Sequence, residues 1–403
     1  MTRRPTGCAL SVIVRLVLPM LLAQQALADE YDTFGIVAAE SVLHDDNLFR
    51  LSSGVEPQTV LGKPGKAEDI AVSSLTVKLN KPYSLQRFEL EASLIDYRYK
   101  NFSYLSYSAE PYKAAWRWSL TPRLHGNLTT DRTQTLNSFA DYTGYTTRNT
   151  HTDENTRFDG LFDLTASWHL LAGAAKSIST NSHVILGQSD NHTNTAEAGI
   201  RYTFPSGSAL SYVARSGRGS YSNQSAGLVS NGYDDRENEL RLLWAFTGKT
   251  SVDARLAHFE RKDSHLAERD FGGLVGNLNL SWNISGKSSL TASYARELGT
   301  FQTLSSSYTT TDRFTLTPVW QFSAKTALRG RYDHAQREYL GAIAQTPANN
   351  RSDTLSIAMI AFDWQPRRAL MITGSLQKEK RASNQPGLDY ESNSLGVTAQ
   401  LIF

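Results

Sequence analysis

Apolar and polar side chains alternate along the chain from about residue 33 to the C-terminus. Leu240, Leu242, Trp244 and Phe246, for example, share one face of their segment, while Arg241 lies on the other. Neighbouring side chains of a β-strand point to opposite faces of the sheet, so this period of two predicts strands with one apolar and one polar face. Helical periodicity is almost absent, and the sequence therefore predicts an all-β fold.

Short and long connections alternate between these segments. The short connections are predicted at residues 82–84, 121–122, 170–173, 205–207, 247–249, 285–287, 324–325 and 366–367. The longer polar connections are predicted at residues 47–67, 136–151, 222–233, 340–351 and 383–389. This rhythm is typical of an antiparallel sheet with tight turns at one end and loops at the other.

The length of the segments distinguishes a membrane sheet from a soluble one. We count about eighteen strands of roughly ten to fourteen residues, which suits tilted membrane-spanning strands better than the shorter strands of a soluble sandwich. We therefore predict a transmembrane, antiparallel, up-and-down β-barrel with short periplasmic turns and longer extracellular loops. Its partner would be outer-membrane lipid, and its location the outer membrane of a Gram-negative cell.

The tryptophans favour a membrane location. Tryptophan prefers the membrane–water interface, where its ring and its N–H group meet different surroundings. Six of the seven lie within a few residues of a predicted short turn. We expect an aromatic girdle on the turn side, formed by Trp116, Trp118, Trp168, Trp244, Trp282, Trp320 and Trp364. The alternative is that these side chains pack in the core of a soluble protein.

Residues 1–28 have the features of a secretory signal. Two arginines precede an apolar run from Cys8 to Leu22, and an A-x-A cleavage site ends at Ala28. We predict a cleaved signal peptide at residues 1–28, Sec-type export, and one barrel domain at residues 29–403. A permanent anchor is the alternative, although Arg15 interrupts the apolar run.

Removal of the signal changes the charge and the cysteine content. Three of the 41 Lys and Arg residues lie in residues 1–28, whereas none of the 39 Asp and Glu residues does, so the net charge falls from +2 to −1. Nothing in this balance indicates nucleic-acid binding. The chain has a single cysteine, Cys8, which excludes a disulfide framework and a cysteine-based metal site.

The polar faces of the predicted strands carry many charges. Burying them in a dry core would cost several kcal/mol for each unpaired ion, whereas a barrel of about eighteen strands encloses a water-filled lumen. The predicted pore-lining residues are Arg117, Arg123, Arg201, Arg215, Arg255, Arg329, Arg331, Asp131, Asp253 and Asp333. Inward arginines favour anions. The alternative is that they pair with the aspartates and keep the wall hydrated.

The final segment resembles the assembly signal of bacterial outer-membrane barrels, whose last strand ends in phenylalanine. The alternating residues are Leu395, Val397, Ala399, Leu401 and Phe403, the last residue of the chain. The resemblance implies recognition by the barrel assembly machinery.

A second resemblance lies near the start of the predicted barrel. The first strand leads into Asp45, Asp46, Asn47, Leu48, Phe49 and Arg50. This segment resembles the EpsL-type β-barrel proteins of exopolysaccharide operons, and the chain as a whole resembles outer-membrane barrel porins of similar length. The resemblance implies a part in making or exporting a secreted polysaccharide, with the polymer and periplasmic export proteins as partners.

Catalytic and metal-binding patterns are absent from the sequence. The nine histidines are scattered and form no HExxH, there is no GxSxG, and no phosphate-binding loop has the required spacing. We predict no enzyme activity, no cofactor and no metal. Asp45-Asp46 and Asp234-Asp235 are solvated loop acids, with a loop calcium site as the alternative.

Three functions stay open at this point. The first is a conduit or accessory for exopolysaccharide export, the second is a general or selective porin for uptake of small solutes, and the third is an outer-membrane hydrolase. A hydrolase would collect its residues from different strands, so the sequence does not pair them.

Overall fold

The computed structural model describes residues 33–141, 144–183, 190–222, 232–301, 303, 306–341 and 350–403. The predicted signal peptide and Cys8 therefore lie outside the described residues. Within them, no helix is long and apolar enough to cross a membrane. Among these described residues, helical structure is limited to α1 (Pro57–Leu61) and two 3₁₀ turns, at Ser103–Leu105 and Ala267–Arg269.

Nineteen strands make up nearly all of the remaining regular structure in the described part of the chain. In chain order they are β1 (Phe34–Asp45), β2 (Glu68–Tyr83), β3 (Gln86–Tyr99), β4 (Tyr107–Ala109), β5 (Tyr112–Thr121), β6 (Leu124–Leu136), β7 (Thr150–Asp163), β8 (Trp168–Asn181), β9 (Asp190–Thr203), β10 (Ala209–Ser222), β11 (Gly232–Thr247), β12 (Thr250–Asp263), β13 (Phe271–Asn283), β14 (Ser288–Thr300), β15 (Tyr308–Ser323), β16 (Thr326–Leu340), β17 (Ser352–Arg367), β18 (Leu370–Ser383) and β19 (Tyr390–Ile402).

The strands form one closed antiparallel barrel. Each strand pairs with its neighbours in sequence, and both β4 and β5 pair with β3, so these two pieces form one barrel strand interrupted at Pro111. The barrel thus has eighteen strands, and the predicted fold is confirmed. The seam joins β1 to β19, with Val37 opposite Ile402, and Phe403 exchanges backbone hydrogen bonds of 2.8 and 3.0 Å with Ile36.

Cross-strand register separates the wall into two faces. Leu240 is opposite Leu256, and the exposed aliphatic and aromatic side chains of neighbouring strands continue that face. Arg241 is opposite Arg255 on the other face, which the charged residues share. Since an apolar face of this size suits hydrocarbon and a charged face suits water, the leucine face is the outer surface and the arginine face lines the lumen.

One predicted connection is wrong. Leu170–Gly173 was expected to form a short turn, but it lies inside β8, where Leu170 pairs with Ile200 and Gly173 with Glu197. The turn is at residues 164–167, where the Thr165 hydroxyl accepts hydrogen bonds from the backbone N–H groups of Ser167 and Trp168. The small residues at 172–175 resemble a turn in composition, but they pair regularly across the sheet.

Six of the seven tryptophans are exposed on the outer face, at between 38% and 54% of their surface. Trp118 differs from the expected girdle because it is only 7% exposed. Its ring stacks on Phe158 with centroids 5.5 Å apart and lies over Gly126, where a Cβ would come within 2.6 Å of the ring. The glycine thus creates the space in which this tryptophan packs flat against the wall.

We predict that Leu278→Arg destabilises the barrel by about 2–4 kcal/mol, because it places a cation on the lipid face of a central wall position. Asn277→Arg is the matched control, since the neighbouring residue faces the lumen. Urea unfolding in lipid vesicles measures both variants. Equal destabilisation by the two substitutions would contradict the assignment of the faces.

Candidate functional site

The lumen wall contains nine of the ten predicted pore-lining residues, because register places them on the arginine face. Arg123 is the exception and corrects the prediction. It lies in the turn between β5 and β6, where its backbone N–H approaches the Thr121 hydroxyl at 3.3 Å. A turn residue at the end of the barrel does not line the wall.

A network of alternating charges crosses the wall from β7 to β12. Glu239 is 5% exposed and accepts hydrogen bonds of 2.6 Å from both Arg215 and Arg255. Arg215 also donates to Glu197 and Glu237, and Arg255 donates to Glu237 at 2.8 Å. Each carboxylate thus contacts at least one guanidinium, which offsets the cost of removing these charges from bulk water.

The other predicted arginines are also largely bound to wall acids. Arg117 forms a two-pronged contact of 2.9 Å with Glu89, and Arg329 binds Asp363 in the same manner. Arg331 binds Asp333, which is only 2% exposed. Bidentate pairs hold the guanidinium plane in one orientation. These arginines therefore present a rigid, hydrated wall.

Three predicted residues have different partners from those expected. Asp253 pairs with Arg241 at 2.8 Å. Asp131 accepts a long hydrogen bond of 3.4 Å from Asn155. Arg201 donates to the Ser211 hydroxyl at 3.2 Å, so it is bound by a neutral group.

The segment at residues 45–50 forms a turn that ties the first strand to the last. Asn47 is 1% exposed, and its side-chain amide donates to the backbone carbonyl oxygens of Leu51 and Glu391, both at 2.9 Å. Arg50 donates to Asp45 at 2.8 Å and to Glu379 at 3.1 Å. The polar residues of this motif therefore have a structural role at the loop end of the β1–β19 seam.

An apolar cluster fills part of the lumen at the loop end. Phe49, from the β1–β2 loop, contacts Phe102 and Phe139 with ring centroids 4.7 and 4.6 Å apart. The cluster also includes Tyr99 and Leu105, and Leu105 is fully buried. Three loops, which follow β1, β3 and β6, thus pack together at this end of the barrel.

The loop after β6 also reaches the opposite part of the wall. Phe139 belongs to the apolar cluster, whereas Asp141 contacts arginines on or next to β16, β17 and β18. On the shorter way round the barrel, β6 and β18 are separated by β5, β3, β2, β1 and β19. Residues 137–141 therefore extend across the loop-side mouth of the lumen and narrow it.

Asp141 is held by three cations, which we call the arginine seat (Arg337, Arg351 and Arg381). Its Oδ1 atom lies 2.7 Å from Arg351 and 2.8 Å from Arg381, and its Oδ2 atom lies 3.5 Å from Arg337. Arg381 also donates to the backbone carbonyl oxygen of Ala140. The seat thus fixes both the side chain and the backbone of the loop.

Burial and charge oppose each other at Asp141. Burial by itself would raise the pKa of this carboxyl group, but Arg351, Arg381 and Arg337 outweigh it and lower the pKa below the usual 3.8. The Tyr339 hydroxyl lies 3.3 Å from the Asp141 carboxylate and 3.3 Å from the carboxylate of Asp353. Asp141 is therefore ionised at neutral pH, when its attraction to the seat is fully present.

A polar cluster near the loop end of β7 and β8 bears on the hydrolase alternative. Asn181 and Ser179 lie 3.0 and 3.2 Å from the two ring nitrogens of His151, an arrangement that resembles an Asn–His–Ser triad. Asp153, however, lies 3.1 Å from the nitrogen that also faces Ser179. A protonated ring donates that N–H to the carboxylate, so the nitrogen is not free to accept the serine proton.

Metal binding has no support in the described ranges. No group of three or more His, Cys, Asp or Glu side chains in them could hold a metal ion. Asp45 and Asp46, considered as calcium ligands, accept hydrogen bonds from Ser392, Asn393 and Arg50 instead.

Comparisons with known proteins agree with the geometry. The family described as "Putative beta-barrel porin 2" matches residues 257–403, which is less than half of the chain. No curated protein matches. Among solved structures, OccK2 (OpdF) from Pseudomonas aeruginosa is similar with a TM-score of 0.50 and 12% identity, over 92% of this chain and 97% of that chain.

Two further structures have the same general form. The glucuronate complex of OccK2 gives a TM-score of 0.50 at 12% identity, over 92% of this chain and 98% of that chain. The outer membrane protein OpdK, also from Pseudomonas aeruginosa, gives a TM-score of 0.49 at 11% identity, over 92% of this chain and 99% of that chain. At this identity the likeness is one of fold. The chain is a closed eighteen-strand β-barrel whose fold resembles that of outer-membrane porins.

The arginine seat is not evident from the sequence. Asp141, Arg337, Arg351 and Arg381 are separated by up to 240 positions, and Asp141 lies in a loop that alternation does not describe. Arg337 and Arg381 do alternate onto the polar face of their strands. That is the only sequence signal we find for them, and many other wall residues share it.

We predict that the loop at residues 137–141 stays docked at neutral pH and undocks as the pH falls through the lowered pKa of Asp141, below the usual 3.8. A lowered pKa stabilises the docked state only while the carboxyl group is ionised, so protonation removes that contribution. Hydrogen–deuterium exchange of this loop, corrected for intrinsic rates, follows the change. Asp141→Asn should exchange fast already at pH 7, and a low-pH step that persists in this variant would contradict the assignment.

Proposed function

We propose that the protein is an outer-membrane porin that lets small hydrophilic solutes enter the periplasm. The observation that carries the proposal is the closed eighteen-strand wall, with exposed leucines and aromatic residues outside and ion pairs inside. A wall of this polarity retains water along the lumen, and a barrel of 16–18 strands is wide enough to contain an aqueous channel.

The loop-side mouth favours small solutes over polymers. Residues 137–141 extend across it, and the apolar cluster around Phe49 fills a further part. A polysaccharide chain would have to pass this narrowed region, whereas a small solute needs only the remaining opening. For this reason we prefer uptake of solutes to export of exopolysaccharide.

The exopolysaccharide interpretation stays a prediction. It rests on residues 45–50. Asn47 and Arg50 in this segment hold the turn that follows β1 and ties it to β19, a role that any barrel with this loop would need. The neighbour that contains glucuronate is described as a complex with a sugar acid. That ligand is consistent with uptake of small polar solutes, and uptake is the alternative that we now place first.

Conductance in a planar lipid bilayer tests the porin proposal. Purified barrel should give stepwise current increases in simple salt, and vesicles that contain it should swell in an isotonic solution of a small sugar. The boiled, unfolded protein is the control. Absence of both signals from a correctly folded barrel would refute the proposal, whereas unchanged polymer secretion in a deletion strain would agree with it.

We predict that Glu237→Gln makes the channel more anion-selective. The substitution removes one negative charge next to Arg215 and Arg255 on the lumen wall, and charged wall residues set the selectivity of such pores. The reversal potential in a salt gradient measures it. Glu260→Gln is the matched control, because register places Glu260 on the outer face opposite Arg236. An equal shift in both variants would show that lumen charge is not the cause.

A further inference from the structure

The arginine seat has more positive charge than the wall around it can balance. Among the described residues, the seat without Asp141 would contain three guanidinium groups and one facing carboxylate, that of Asp353. Arg351 lies 2.5 Å from Asp353, whereas Arg381 approaches it only to 3.9 Å. The carboxylate of the loop therefore supplies the second negative charge, and its departure would leave a strongly anion-attracting site.

We propose that the arginine seat is a binding site for the carboxylate group of a small organic acid, and that Asp141 occupies it in the absence of that solute. This assignment rests on the proposed passage of small solutes and names their chemical class. Guanidinium groups bind carboxylates through paired, charge-assisted hydrogen bonds, which give both strength and orientation. A solute carboxylate can thus replace the side chain of Asp141 one for one.

Arg337 is the most accessible side chain of the seat. Arg351 and Arg381 are each 5% exposed, whereas Arg337 is 37% and Asp141 is 22% exposed. A solute in the lumen would therefore meet Arg337 first and then displace Asp141 from the two buried arginines. Since Arg337 is also the most distant contact of Asp141, at 3.5 Å, it has the most freedom to bind a second carboxylate.

Exchange at the seat would move the loop. Residues 140 and 141 contact Arg381 directly, so a carboxylate bound there competes with the main polar attachment of the loop to this part of the wall. Phe139 stays attached to the apolar cluster on the other side, which provides a pivot. The ligand would thereby widen the mouth through which it passes, and a ligand shifts such an equilibrium by its difference in affinity for the two states.

Thiol accessibility in detergent micelles tests the exchange without requiring a current. Ala140→Cys places a thiol at a position that is 6% exposed, and Cys8→Ser removes the chain's only other cysteine. We expect succinate to raise the rate of maleimide labelling by about tenfold, which corresponds to about 1.4 kcal/mol. Sodium chloride at equal ionic strength and glucose at equal osmolarity should leave the rate unchanged.

Substitutions separate the seat from general charge effects. Arg351→Gln should abolish the response to succinate, while Arg296→Gln, which removes a charge from the outer face, should keep it. If the cysteine variant does not fold, calorimetry of Asp141→Asn replaces it, with succinate expected to bind about tenfold more tightly than to the unsubstituted barrel.

The outcomes distinguish this proposal from the porin proposal. Labelling that succinate does not change, together with equal binding to the Asp141→Asn variant, would overturn the seat assignment even if the barrel conducts. A succinate response in a barrel that does not conduct would support the seat and refute the passage of solutes. A response that Arg351→Gln retains would also overturn the assignment.

Discussion

Backbone hydrogen bonding in hydrocarbon is the constraint on which the rest of this structure depends. Water is absent from the bilayer core, so an unpaired N–H or carbonyl group there costs several kcal/mol, and only a closed sheet avoids such groups at its edges. The pairing of β1 with β19 provides the closure, and Phe403 completes it through two backbone bonds to Ile36. Because the ring is closed, one face of the wall contacts lipid and the other faces the lumen.

Closure determines what the interior must contain. Eighteen strands enclose more space than wall side chains fill, so the inner face meets water and polar residues are favoured there. Charges on that face are nevertheless partly shielded from bulk solvent, and they occur in pairs or networks such as Glu239 with Arg215 and Arg255. Balanced pairs keep the wall hydrated without a large net field, which agrees with a predicted mature charge close to zero.

The loop-side mouth combines an apolar and an ionic attachment. Phe139 packs on Phe49 at one side, and Asp141 binds the arginine seat at the other. The apolar contact is insensitive to small ions, whereas the ionic contact competes with anions and protons. This difference allows one side of the loop to hold while the other side responds to the contents of the lumen.

Much of the fold follows from local pattern. Alternation identified the strands, the outer face of β19 from Leu395 to Leu401, and nine of the ten inward candidates, because side-chain direction in a strand depends only on position parity. Parity does not locate the strand ends, which explains the misplacement of Arg123. The turn expected at Leu170–Gly173 has a different cause, because small residues there resemble a turn in composition although they pair inside β8. Parity also carries no information on packing within a face, so the burial of Trp118 over Gly126 could not be seen.

The sequence by itself thus determined the number and direction of the strands and the polarity of each face, since all three features depend on interactions between near neighbours. Only the tertiary structure decided which charges meet. Glu237 and Arg255 lie on adjacent strands, but Asp141 and Arg381 come together across the lumen because closure of the ring brings distant strands to opposite walls. The reach of a loop across that space depends on the diameter of the closed barrel, a property that no single segment of the chain contains.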